Sequence, residues 1–404
     1  MTPVAPSRNF FSRSPRARFY PAPVIQRVRL DECLWLRSPN VEKQQVFSPI
    51  VRALDRRGAK VWSLPDCSDA SVEALRAHVW KEDRHVILHG LLARDLDRLR
   101  PVFERRKNFS VVLIDWWNSA YWFTQNATYQ IFHNYNGITV RTGHDRFLGP
   151  DRPPLLALPQ NYIPYQILSS LLRPAAMLAA PVLAARKAWQ RAHETVDAKR
   201  LLYFPFPIDA ADVPLQKVSP RFDFTNMGAI LGQWIMRDAH APASLNFANL
   251  YADRRRLTDL ISQFSGKPFA VYDRWRGKYQ YLPWEGVCRL IQESRFAVCT
   301  GGLHRASIPK FLEYVCLGTP IIGSGLPFEY PWLDRCLFSV DTMNITASAL
   351  RPKLDEAISQ HARLQENCLS LRDTLLAQYH ASHLLDVLQE QMDGKPMPAG
   401  YLKD

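Results

Sequence analysis

The chain has 404 residues, a formal charge of +13 and 47% apolar residues. That apolar share excludes a disordered chain, and the length exceeds what one core usually sustains, so two domains of roughly 150–200 residues are expected. The charge admits nucleic acid, an anionic membrane surface or acidic ligands such as nucleotides as partners, and no helix-turn-helix, zinc-finger or RNP-like pattern favours the first.

Residues 1–27 carry Arg8, Arg13, Arg16, Arg18 and Arg27 among prolines and serines, without the continuous apolar core of a secretory signal. They read as a flexible basic arm. An α/β rhythm follows. Strands are predicted at 33–36, 59–64, 85–88 and 109–114, with helices at 45–57, 72–80 and 94–106 between them and a further short strand at 138–140. Such alternation predicts a parallel sheet covered on both faces, the first domain spanning 28–215. In open α/β sheets ligands sit at the carboxyl ends of strands, which makes His89 and Asp115 candidate general bases. Trp116, Trp117 and Tyr121 trail Asp115 and suit an acceptor pocket, or ordinary core packing.

Within that domain, residues 161–192 fit no α/β unit. Residues 163–185 are nearly free of charge and are followed at once by Arg186, Lys187, Trp189 and Arg191. Arg173, Pro174 and Pro181 break the run well short of the roughly 20 residues a membrane span needs, so it reads as an interfacial segment on an anionic leaflet or as a buried helical pair. Phe204-Pro-Phe-Pro-Ile-Asp209 has the proline content of a hinge.

A second α/β unit is expected over 216–375, with strands at 224–231, 269–272 and 296–299 and helices at 250–264 and 283–294. Its most informative stretch is RFAVCTGGLHRASIPKFLEYVCLGTPIIGSGLPFEYPW, from Arg295 to Trp332. This reads as strand, glycine turn at Gly301 and Gly302, N-cap Ser307, helix from Pro309 to Gly318, and strand at Ile321 and Ile322. A glycine turn before a helix N-terminus presents N–H groups and a positive dipole end, and His304, Arg305 and Lys310 add donors, which together suit a diphosphate. Glu313, one turn further on, is placed to accept from vicinal ribose hydroxyls. Residues 376–404 are expected to form a helix crossing back to the first domain, and a tail.

The segment Glu313-Tyr-Val-Cys-Leu-Gly318-Thr-Pro320-Ile-Ile322 resembles the nucleotide-sugar signature of GT-B glycosyltransferases. The resemblance implies two Rossmann-like doubly wound domains facing a cleft, with Glu313 on the donor ribose. Many members carry another glutamate eight residues earlier, where this chain has Arg305; the departure implies a basic contact to the diphosphate. The family's layout also makes Gly228 and Arg237, after the first strand of the second domain, donor-binding candidates, and Asp209 resembles the start of the family's interdomain linker. The expected activity is sugar transfer from a nucleotide-sugar to a saccharide or lipid-linked hydroxyl acceptor in surface polysaccharide or glycoconjugate assembly.

No metal or cofactor is expected, since basic side chains and a helix N-terminus can do electrostatically what a divalent ion does elsewhere. The only Asp-x-Asp match, Asp95-Leu-Asp97, falls on a charged helix. Seven scattered cysteines without a C-x-x-C pair read as buried thiols of a cytoplasmic protein, peripheral to the membrane if 161–192 binds it. The alternatives are a non-catalytic α/β nucleotide- or sugar-binding protein and, behind it, a nucleic-acid-binding protein.

Overall fold

The computed structural model describes residues 28–37, 47–64, 68–81, 84–90, 93–104, 108–113, 123, 126–135, 138, 197–227, 252–264, 270–271, 283–301, 307–342 and 345–403. In chain order the first part comprises β1 (Leu34–Arg37), α1 (Ser48–Arg56), β2 (Lys60–Ser63), α2 (Asp69–Lys81), β3 (Val86–His89), α3 (Ala93–Phe103), β4 (Phe109–Leu113), β5 (Gln130–Phe132) and β6 (Leu201–Tyr203). These strands form one parallel sheet in the order β2-β1-β3-β4-β5-β6. Every residue of β3 and β4 is buried, as expected of a parallel sheet covered on both faces.

The strand expected at 138–140 is not where the sheet continues. Ile138 is helical, residues 139–140 lie outside the described residues, and β5 forms instead from Gln130, Ile131 and Phe132 in register with Val111, Val112 and Leu113. Pairing against a buried neighbour outweighs the β-branched character of Ile138.

The second part comprises β7 (Phe222–Asn226), α4 (Ala252–Phe264), β8 (Ala270–Val271), α5 (Trp284–Gln292), β9 (Ser294–Cys299), α6 (Pro309–Cys316), β10 (Ile321–Gly323) and β11 (Leu337–Ser339), in a parallel sheet ordered β11-β10-β9-β7-β8. The alternation along β9 shows why it is doubly wound. Phe296 and Val298 pack with Leu257, Leu260 and Ile261 of α4, whereas Ala297 and Cys299 join the core that holds Phe311, Leu312 and Val315 of α6. Successive side chains point to opposite faces, so one strand serves both layers. Helix α6 stops at Gly318, whose φ of +73° is the left-handed conformation of a helix C′ residue.

Two helices close the chain, α7 (Ala347–Gln378) and α8 (Ala381–Met392). The latter lies against the first sheet. Its Gln391 side chain accepts from the Tyr203 amide at 3.0 Å and donates to the Tyr203 carbonyl at 2.7 Å, satisfying backbone groups of β6. Arg57, just after α1, donates to Asp386 of α8 at 2.7 Å. The carboxyl ends of the two sheets meet, because Asn134 and Tyr135 beyond β5 touch Ser307 and Glu329 of the second unit. The fold is thus two Rossmann-like doubly wound sheets whose carboxyl ends face each other.

Candidate functional site: the crevice between β7 and β9

The chain leaves β7 for β8 on one side and returns to β9 on the other, so the order of the second sheet reverses between β7 and β9. A crevice opens outside the carboxyl ends of strands at such a point. Two cations line it. Lys310, in the first turn of α6, donates through Nζ to the Met227 carbonyl at the end of β7. Arg254, in the first turn of α4 and only 2% exposed, donates to the Thr300 carbonyl at the end of β9 at 2.9 Å. Gly301 is buried beside that end.

Glu313 follows Lys310 by three residues, which puts both on one face of α6. It is partly buried, and among the described residues none donates a hydrogen bond to its carboxylate. Burial pushes its pKa up to about 7; Lys310 opposes that rise, and Asp212 adds to it. Burial also lowers the Lys310 pKa, against the pull of Glu313. A half-desolvated carboxylate with no donor among the described residues, next to Lys310 at a sheet crevice, can accept hydroxyl hydrogen bonds while the cation meets an anion.

Ser307 does not cap α6. The N-cap is Ile308, in an extended conformation and with no side-chain cap bond, and Pro309 occupies the first helical turn. The Ser307 hydroxyl is spent elsewhere, 2.5 Å from Asn134 Oδ1 and 2.7 Å from Glu329 Oε1. The proline fixes the helix start one residue later than the serine would need in order to cap it.

At the reversal point of the first sheet, between β1 and β3, His89 ends β3 and is 2% exposed. Trp35 and Phe47 meet its ring edge-on, and His133 Nε2 stands 3.4 Å from its Nε2. His133 Nδ1 lies 2.7 Å from the Phe204 carbonyl, so it carries the proton there, and its Nε2 is left as the acceptor facing His89. Burial lowers the pKa of both, that of His133 to about 4, and both rings are neutral near pH 7. Asp209 caps the turn Ala210–Asp212, and Arg52 of α1 binds Asp209 at 3.2 Å and Asp212 at 2.5 Å, tying the first sheet's helix to the linking segment.

Asp115, Trp116, Trp117, Tyr121, Gly228, Arg237, Gly302, His304 and Arg305 lie outside the described residues, as does the stretch 161–192. Of the predicted site residues, Gly301 lies just past the end of β9 and Lys310 and Glu313 on the helix that follows, the Ser307 hydroxyl faces Asn134 and Glu329, and His89 ends β3 of the first sheet. The sequence reading missed Arg254 and Glu329. Arg254 sits in a run of three arginines that resembles a solvated face, and its burial depends on packing against β9. Among the described residues no group of three or more His, Cys, Asp or Glu could hold a metal ion, six cysteines are buried free thiols, and no helix is long and apolar enough to cross a membrane.

No protein-family model matches the chain, and neither does any curated protein. Among solved structures it is similar to Anabaena HepE in complex with UDP, at 9% identity and a TM-score of 0.48, over 90% of this chain and 100% of that one. A glycosyltransferase from Rickettsia africae matches at 10% identity and a TM-score of 0.47, over 91% and 100% of the two chains. AviGT4, a glycosyltransferase involved in avilamycin A biosynthesis, matches at 11% identity and a TM-score of 0.45, over 89% and 97%.

Proposed function

We propose that this chain is a glycosyltransferase that moves a sugar from a nucleotide-sugar donor, held in the crevice between β7 and β9, to a hydroxyl acceptor. The observation that carries the reading is the pairing of Lys310 at the mouth of β7 with Glu313 one turn along the same helix. Glu313 accepts from the ribose hydroxyls. Lys310, with Arg305 five residues before it in sequence, meets the diphosphate and stabilises the charge that builds on it as the glycosidic bond breaks, without a metal ion.

The acceptor would lie against the first sheet. Asp115 is the better candidate base, because His89 is enclosed by Trp35, Phe47 and His133. Trp116, Trp117 and Tyr121 would offer the acceptor their ring faces. A role in surface polysaccharide or glycoconjugate assembly, at the cytoplasmic face of a membrane bound through 161–192, is the setting that suits the basic charge.

Calorimetric titration of UDP, GDP, ADP and dTDP tests the donor site. At least one is expected to bind, and Glu313→Ala to weaken that binding by about 1.5–3 kcal/mol, the scale of hydrogen bonds to a charged group. A wild-type protein that binds none of them, or a folded Glu313→Ala that binds equally well, overturns the reading.

A further inference from the structure

Glu329 lies in the segment between β10 and β11, is 0% exposed, and is used by no step described so far. Its Oε1 accepts from the Tyr135 amide at 2.5 Å and stands 2.7 Å from the Ser307 hydroxyl. Tyr135 belongs to the first unit, three residues past β5; Ser307 belongs to the second, two residues before α6. The Tyr203 hydroxyl of β6 is buried against the same carboxyl group. The backbone around Glu329 is held in place from outside. Tyr330 has φ of +58°, rare for an aromatic residue, and its amide donates to the Tyr401 carbonyl, while Glu329 bridges to Leu402 of the C-terminal tail. A left-handed non-glycine residue costs free energy and persists where its surroundings require it.

We propose that Glu329 is a positioning residue that sets the register of the donor-site helix against the first sheet, its carboxyl group joining the Tyr135 amide to the Ser307 hydroxyl. The proposal rests on α6 carrying the donor site. Lys310 and Glu313 ride on α6, the acceptor side belongs to the first sheet, and small misplacements between reacting partners cost rate steeply. The junction around Ser307 has one acceptor too many for the protons there. The Ser307 oxygen has Asn134 Oδ1 at 2.5 Å and Glu329 Oε1 at 2.7 Å, but one hydroxyl proton satisfies only one acceptor. The missing proton comes from the Asn134 amide turned to present its nitrogen, or from a protonated Glu329.

Burial pushes the Glu329 pKa up to about 7, against the donated Tyr135 and Ser307 bonds. The titratable groups facing it are Tyr203, Tyr330 and Tyr379, all raised by burial and therefore neutral. The folded state accordingly binds the proton more tightly than the unfolded chain, and Glu329 contributes stability at low pH that is lost as pH rises towards about 7.

Three variants test this. Glu329→Ala removes the acceptor for both donors, Glu329→Gln keeps an oxygen for them but does not titrate, and Ser307→Ala cuts the tie to α6 alone. The readouts are hydrogen exchange at the Tyr135 amide, calorimetric affinity for UDP, GDP, ADP and dTDP, and denaturant stability from pH 5 to 8. Glu329→Ala is expected to lose Tyr135 protection and about tenfold in nucleoside diphosphate affinity. Ser307→Ala should lose affinity but keep Tyr135 protection. Glu329→Gln should recover most of both losses while flattening the pH dependence of stability. If Glu329→Ala and Ser307→Ala bind the nucleotide as tightly as the wild type, the positioning role is wrong and the donor site stands. If Glu329→Ala does not fold, Ser307→Ala and Glu329→Gln decide between the same outcomes. If the wild type binds no nucleoside diphosphate, the donor-site reading fails and takes this role with it.

Discussion

The Lys310 ammonium donates to the Met227 carbonyl, so a side chain from the first turn of α6 closes over the carboxyl end of β7. The bond spans the two strands between which the second sheet reverses direction. Burial holds the Lys310 pKa below its ordinary value, with Glu313 pulling it back up. An anion arriving in the crevice would face a cation that is already desolvated and has little reorganisation left to pay for.

Lys310→Ala should therefore lower both nucleoside diphosphate affinity and turnover. Arg305→Ala should act mainly on turnover, by roughly two to three orders of magnitude, as for removal of one oxyanion donor. Arg305→Glu should not restore activity, and Lys310→Ala should cost less because an ammonium lacks the two-pronged geometry of guanidinium. Steady-state kinetics with separately measured nucleotide affinities resolves the two effects. An active Arg305→Glu would move the diphosphate away from that residue.

Glu313 predicts a pH effect that needs no substrate. Its pKa is raised from 4.5 to about 7, so the native state binds more protons than the unfolded chain between those values. The stability it contributes is present at low pH and declines as pH rises to about 7. Glu313→Gln should flatten the stability profile between pH 5 and 8 by about 2 kcal/mol, after allowance for its partial exposure. His89 and His133, with lowered pKa values, act in the opposite direction, so the difference between variant and wild type is the quantity to measure by denaturant titration. Parallel profiles would mean that Glu313 is solvated like an ordinary surface carboxylate.

Gly323 ends β10 where the backbone of β9 passes very close. A Cβ added there would stand 1.7 Å from the Cys299 carbonyl oxygen, far inside contact distance. Gly323→Ala is expected to destabilise the fold by about 1–3 kcal/mol, as overpacking does, and to displace the Cys299 to Gly301 turn. Denaturation midpoint and nucleotide affinity should fall together. A variant with wild-type stability would show that the two strands can part at no cost.

The stretch 161–192 makes a prediction from sequence alone. Replacing Arg186, Lys187 and Arg191 with glutamine should reduce sedimentation with anionic liposomes, since each basic residue near such a surface contributes about 1 kcal/mol. Failure of the wild type to sediment with those liposomes would assign the segment to the protein core.

Whatever is encoded within a few residues was legible in the chain alone. The alternation of short apolar runs with helical periodicity located most strands and helices of both sheets, and the order of strand, glycine turn, Pro309 and Gly318 located α6 to within two residues. Lys310 and Glu313 were legible for the same reason: their shared face follows from helical spacing alone. Everything that depends on partners distant along the chain was set by packing between elements. Gln130–Phe132 became a strand because Val111–Leu113 stood beside it, and Ile138 did not. Arg254 was buried because β9 ended against it, and Ser307 gave its hydroxyl to Asn134 and Glu329 in place of the helix end. Glu329 is 194 residues from Tyr135 in sequence, and no local pattern could pair them. Periodicity records which way a side chain points; only packing of the two sheets determines what it meets there.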